Sequence, residues 1–459
     1  MKLNKFIYVI TKLLSFVILI SIYFYFAMQP TNNNDFLVLS SNFIIIFYSW
    51  YRIFTINIAP YSLHKMFYMF SLFFFGIAPL IQYKYSIRTV LGYYFFDDTL
   101  IDSNILIILA FIFGDLVYYF TFKKIKISSP SFVKDFQLDD GIVLKLCLIC
   151  MAVGVVLYEC FINNFDWYSL LLRGGEDVNR ISLDSSVLRK LTSIIIRPLP
   201  VFIFIYYYIL GKSKPFKCLL GICVLVSCFP SSMARLAVAA YYIPILMVVF
   251  PFLQRSYNFI MTYIFSLLVV FPLFELFRNF NSNIVLSEQF FIRLTKVYTG
   301  MTYDSYQSFA FVLQNNFITY GKQLGGVLLF WMPRSLWSTK PVGSGYTMAH
   351  IYNLGWDNIS MNFLGEGYIN FGIVGIFMFI GVLAIFMAIF DKKYWIGYKG
   401  NIRTLFSPLF LLMFSNLTFF LRGDMMFGTA FMCGSLFSCY VIRKFICFFR
   451  KNNHRYRGI

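Results

Sequence analysis

Several basic side chains stand where they could bind an anion. Arg173 and Arg180 bracket the string RGGEDVNR, and Arg334 and Lys340 lie in MPRSLWSTKP. Arg197, Arg235 and Arg278 each border or enter an apolar run. A guanidinium donates two parallel hydrogen bonds from a planar fork, a geometry matched to the oxygens of a diphosphate. Gly174 and Gly175 let the backbone turn tightly or approach a ligand closely. Two residues are candidates for a base: His350, one of three histidines, and Glu366 in GEGYINFG. Glu176, Asp177 and Asp304 rank behind them. Each candidate also has a plainer reading. The arginines can be paired within loops or snorkel to lipid headgroups, His350 can simply be solvated, and Glu366 can sit in a structural ion pair. Three scattered histidines do not make a metal site, and no metal or cofactor is expected.

The elements that must position these groups are apolar. Of 459 residues, 59% are hydrophobic and 13% charged, and the mean hydropathy is +0.71. A soluble chain carries roughly 25% charged residues to meet water. The net charge of +19 does not indicate nucleic acid, because the basic residues fall in short connections between apolar blocks. None of the nine cysteines lies in the two long loops, so a disulfide-stapled outer domain is not expected. Cys147 and Cys150 lack a second pair and read as packing residues.

The expected fold is all-α: one polytopic membrane domain over 1–459 with twelve spans. These are 6–28, 36–54, 66–82, 103–122, 142–162, 191–210, 216–233, 236–252, 258–278, 368–390, 404–421 and 425–446. Each approaches the ~20 residues that cross the hydrocarbon core. The first lacks a cleavage site and is expected to remain as a helix. With the N-terminus inside, 24 of the 39 basic residues face the cytoplasm. The short outer loops hold four, Lys84, Arg88, Arg235 and Arg422. That bias places both termini in the cytoplasm. Two long loops, 163–190 and 279–361, then lie outside. The second is rich in Trp, Tyr, Gly and Pro, which argues for an ordered outer subdomain. Arg422-Gly423-Asp424 reads as a tight outer turn, and Asp115, inside the fourth span, as an interhelical hydrogen-bond partner.

In span number, inward termini and outer loops after the fifth and ninth spans, the chain resembles the Wzy-type O-antigen and capsular oligosaccharide repeat-unit polymerases. RGGEDVNR at 173–180, MPRSLWSTKP at 332–341 and GEGYINFGIVG at 365–375 add to the resemblance. Family members carry an arginine followed eleven positions later by glycine in each large loop. Arg334 and Gly345 fit that spacing; Arg173 and Arg180 are followed there by Asp184 and Leu191. The resemblance implies a metal-independent membrane glycosyltransferase in the bacterial inner membrane. Its substrate would be an undecaprenyl-diphosphate-linked oligosaccharide. A chain-length regulator and a flippase of the same pathway are the implied partners, and no nucleic acid. Arg197, Arg235, Arg278 and Arg334 would hold the diphosphate, with His350 or Glu366 as base. An O-antigen ligase shares the chemistry, and a flippase or transporter of lipid-linked sugar is the rival from another class. The placement of the cations at one face speaks against the transporter.

The charge bias carries a direct expectation. A reporter that matures only in the cytoplasm will be active when fused at the C-terminus and inactive when inserted near Ser338; the reverse pattern would invert the topology.

Overall fold

The computed structural model describes residues 2–31, 33–55, 59–90, 93–127, 141–171, 192–255, 257–270, 295–357 and 359–456. All regular structure among them is helical. Helices satisfy their own backbone hydrogen bonds, the condition for crossing lipid. In chain order they are α1 (Lys2–Ala27), α2 (Phe36–Thr55), α3 (Leu63–Lys84), α4 (Asp97–Lys124), α5 (Ile142–Ile162), α6 (Thr192–Leu210), α7 (Lys214–Ser232) and α8 (Arg235–Val249). Then follow α9 (Asn258–Leu268), α10 (Ser305–Gln314), α11 (Lys322–Leu328), α12 (Ser344–Ile351), α13 (Phe363–Lys392), α14 (Ser407–Arg422) and α15 (Met425–Tyr456). Among the described residues, nine helices are long and apolar enough to cross a membrane. The chain is thus an all-helical, multi-pass membrane protein. The shorter apolar helices α8, α9 and α14 fall where the other three spans were expected.

The chain divides into two compact units. The first comprises Met1–Lys126, Gln254–Asp391 and Phe420–Thr429; the second comprises Ile127–Leu253, Lys392–Phe419 and Ala430–Ile459. In the first unit α3 is the buried axis, with 94% of its apolar window enclosed. Between Met66 and Ile81 its sequence is apolar all round, as a helix surrounded by other helices must be. A π turn at Leu72–Ile77 interrupts it, and the Asn42 amide donates to the Gly76 carbonyl there at 3.1 Å. α4 carries Asp97 and Asp98 in its first turn and Lys123 and Lys124 in its last, which suits the helix dipole at both ends.

The segment from 295 is not a free-standing outer subdomain. Its helix α10 is buried in the first unit along eight of its ten residues. The Tyr306 hydroxyl donates to the Leu100 carbonyl at 3.2 Å and to Asn104 at 2.8 Å. Gln307 accepts from the Thr89 N–H at 2.7 Å and donates to the Ile87 carbonyl at 2.6 Å. Polar side chains thus tie the loop to the ends of α3 and α4. Residues 279–294 of that loop, and 172–190 of the other long loop, lie outside the described residues.

The tenth span also differs from expectation. Helix begins at Phe363 rather than 368 and breaks at Phe371 (φ −144°, ψ 26°) and Gly372 (φ 61°, ψ −148°). An unbroken helix of this length would run about 45 Å, well beyond the ~30 Å hydrocarbon core. The break leaves 373–392, about 30 Å of straight helix. The freed carbonyls are met from the loop: Thr319 N–H donates to Ile369 at 2.6 Å and Gly321 N–H to Asn370 at 2.9 Å. The two halves close on each other at glycines, since a Cβ on Gly367 would lie 2.7 Å from the Gly375 carbonyl oxygen. Hydropathy misses such a break because both residues at it are compatible with an apolar run.

The Gly372 backbone lies in a region nearly reserved for glycine, so Gly372→Ala should destabilise the protein by about 1–3 kcal/mol. Thermal unfolding in detergent will show a lowered midpoint. Gly154→Ala, where an added Cβ meets nothing within 4 Å, will show no loss.

Candidate functional site

The helix break places Glu366 in the interior of the first unit, 1% exposed. Its carboxylate accepts from the Ser344 hydroxyl at 2.7 Å and from the Met425 N–H at 2.9 Å. Asp424 stands beside it at the start of α15. One Asp424 oxygen accepts from the Met426 N–H at 3.0 Å, and the other from the Gly345 N–H at 3.3 Å. Two carboxylates therefore occupy the N-terminal ends of α12 and α15, where unpaired N–H groups and the helix dipole favour negative charge. Burial pushes the Asp424 carboxyl above the ordinary carboxylate range, against the pull of the backbone N–H groups of Gly345, Met426 and Phe427.

Two residues earlier, Arg422 turns to the loop. It donates to the Thr302 carbonyl at 2.7 Å and pairs with Asp304 at 3.0 Å. Asp304, 3% exposed, also accepts from the Ser360 N–H at 3.0 Å and from the Ser360 hydroxyl. The Arg422-Gly423-Asp424 turn is thus the junction of the loop with α13 and α15. Gly345 fits here because a Cβ would collide with the Ile359 carbonyl oxygen. Asp424 was missed as a site residue. Its signal was present, an aspartate directly before a long apolar helix.

The basic residues of the loop are divided in role. Lys340 is half-buried, its ammonium donating to the Phe330 carbonyl at 2.6 Å and the Met332 carbonyl at 2.8 Å of the same loop. Arg334 is exposed. It donates to the carbonyls of Lys340 at 2.9 Å and Pro341 at 3.4 Å, which holds its guanidinium at the surface. His350 is half-exposed, lies 3.6 Å from an Asp357 oxygen, and packs on Tyr346 with ring centroids 4.0 Å apart. Of the two candidate bases, His350 is therefore reachable from solvent, whereas both Glu366 oxygens already accept hydrogen bonds.

In the second unit, Arg197 sits at the junction of a π turn, Thr192–Ile196, and the helix from Leu199. Its guanidinium donates to the Ser227 carbonyl at 2.8 Å and the Ser232 hydroxyl at 2.7 Å, with a Glu159 oxygen at 3.8 Å. Protein groups from α5 and α7 thus meet the cation. The sequence reading had not singled out Glu159, although an ionisable residue inside an apolar span marks a polar site by default. Arg235 opens α8. Arg173, Gly174, Gly175, Arg180 and Arg278 lie outside the described residues.

One further cluster encloses cations that were expected in cytoplasmic connections. In the first unit Asp115 accepts from the Tyr48 hydroxyl at 2.5 Å, with His64 Nε2 and Arg52 Nε each at 2.7 Å. Asp115 is the interhelical partner it was expected to be. Asp391 accepts from the Leu63 and His64 N–H groups at 2.8 and 3.2 Å and from the Tyr118 hydroxyl at 3.0 Å. Lys65, expected in a cytoplasmic loop, is 1% exposed and donates to the Ala59 carbonyl. Charges of opposite sign lie among α2, α3, α4 and α13 because a buried ion needs a partner in low dielectric. Among the described residues, no group of three metal-ligating side chains could hold an ion.

Comparison with protein-family models, curated proteins and solved structures returned no match.

The contacts separate positioning groups from surface groups. Asp304→Ala removes the carboxylate paired with Arg422 and should cost about 3–5 kcal/mol. Arg334→Ala, at an exposed position, should cost under about 1 kcal/mol. Unfolding midpoints measured in detergent will order the two; equal midpoints would contradict the assignment.

Proposed function

We propose that this protein polymerises lipid-linked oligosaccharide repeat units at the outer leaflet of a bacterial inner membrane, with both termini cytoplasmic and twelve spans. The growing glycan passes from undecaprenyl diphosphate to the non-reducing end of a new lipid-linked unit. The acceptor hydroxyl oxygen bonds to the anomeric carbon, the bond from that carbon to the diphosphate oxygen breaks, and the hydroxyl proton goes to a base. Undecaprenyl diphosphate is a good leaving group, so the largest help comes from fixed positive charge where its oxygens gain charge. One observation carries the reading. Arg334, in the loop with the arginine–glycine spacing, presents an exposed guanidinium held by two backbone carbonyls. His350 near Asp357 is the base in this scheme, and Glu366 positions α12 and α15.

A second reading, a flippase or transporter of lipid-linked sugar, draws support from the buried Arg52–Asp115–His64 cluster. Ionisable groups among spanning helices are frequent in proton and substrate paths. Unlike a ligase, either activity would act before a finished chain is attached.

A deletion strain decides between them. Under polymerisation, single repeat units reach the surface without long chains; under transport, no surface glycan appears. Arg334→Ala should keep normal protein levels while lowering polymer formation by about 10²–10³-fold, the effect of losing one preorganised donor to developing charge. Full-length polymer from that variant would remove Arg334 from the site.

A further inference from the structure

One connection of the first unit exposes apolar side chains as freely as a lipid-facing helix does. After α11 ends at Leu328, residues 328–339 are exposed or half-buried throughout. Leu328 is 67%, Trp331 66% and Leu336 78% exposed. Apolar area in water is unfavourable in proportion to its extent. A run of this kind marks a surface that another apolar phase covers.

The loop holds its own shape. The Lys340 ammonium meets the carbonyls of Phe330 and Met332, and the Arg334 guanidinium those of Lys340 and Pro341. The Met332 N–H donates to the Leu329 carbonyl at 3.0 Å and the Trp337 N–H to the Pro333 carbonyl at 3.2 Å. The Trp337 ring folds back on α11, where a Cβ at Gly325 would lie 4.0 Å from it. Carbonyls met by the loop's own cations and N–H groups cost less to move out of water than bare ones.

Its position names the covering phase. Thr319 and Gly321 bond to the carbonyls freed at the break of α13, and a Cβ at Gly321 would lie 3.1 Å from the Phe371 ring. Tyr320, between them, is 86% exposed. Phe371 heads the half-helix 373–392, whose first residues Ile373 and Val374 are also exposed. The chain therefore enters α11 from the level where a core-length helix begins, the boundary between hydrocarbon and headgroups. Composition agrees, since Trp and Tyr concentrate at that boundary. Between Ser305 and Trp356 the chain carries Lys322, Arg334 and Lys340 and no Asp or Glu, which suits anionic headgroups. A face for a protein partner would have no reason to start at that depth.

We propose that the loop 328–337 is seated in the lipid headgroup interface, with Leu328, Trp331 and Leu336 entering the upper hydrocarbon and Arg334 among the hydrated phosphates. The seating stands whichever reaction the protein performs. On the polymerase reading, on which this last role rests, it keeps Arg334 level with a lipid-linked diphosphate.

The test uses the full chain, one copy per nanodisc, with the fluorescent amino acid dansylalanine placed at Leu336, Val382 or Asp98. Val382 is exposed midway along the half-helix 373–392, and Asp98 is exposed in the first turn of α4. The discs contain phosphatidylcholine and phosphatidylglycerol with acyl chains brominated either near the headgroup or near the chain end. At Leu336 the shallow bromines should quench more than the deep ones; at Val382 the order should reverse, and at Asp98 neither should quench appreciably. Trp331→Glu, at an exposed position, should remove most of the quenching at Leu336 without moving the unfolding midpoint. The proposal fails if Leu336 is quenched no more than Asp98, which leaves the loop in water. It fails equally if the emission there is blue-shifted yet unquenched, which means protein covers the loop, or if Trp331→Glu changes nothing. The polymerase reading is judged apart, by the deletion strain. Quenching as expected, with long chains persisting in that strain, would keep the seating and remove the polymerase.

Discussion

The turn Arg422-Gly423-Asp424 meets a requirement that governs the whole first unit: a polar group withdrawn from water must be matched by the protein. Arg422 reaches the loop through Asp304 and the Thr302 carbonyl. Asp424 caps α15 and accepts from α12, while Glu366 bonds to the same two helix starts. Four segments distant in sequence thereby share one set of charge-assisted hydrogen bonds, which are roughly twice as strong as neutral ones. The loop that carries Arg334 and His350 has its position because this junction exists.

The broken helix α13 serves the same end. An intact helix would need no partners for Ile369 and Asn370, and would carry Glu366 elsewhere. Breaking it exposes two carbonyls, which the 319–324 segment satisfies, and it folds Gly367 onto Gly375. Irregular backbone at membrane depth is tolerated where protein buries it. The glycines of GEGYINFGIVG are thus explained by packing and by one positive φ, without a direct role in chemistry.

The charged groups fall into two kinds. Glu366, Asp304 and the Asp115 and Asp391 cluster are enclosed by protein donors and acceptors, and their first effect is on architecture. Arg334, His350 and Asp357 face solvent and can meet a substrate.

Sequence alone determined that the chain is helical and lives in a membrane, because long apolar runs have one outcome when backbone hydrogen bonds cannot reach water. It placed an apolar helix at each expected span, with ends that differ by as many as ten residues, and it identified Asp115 as an interhelical partner, since an acid inside a span must find one. Tertiary structure decided which ionisable groups are enclosed. Lys65 reads as a loop cation yet is buried, and Glu366 lies between two helix ends. Hydropathy sums over neighbours along the chain, whereas the partner of a buried charge or amide comes from a segment tens to hundreds of residues away.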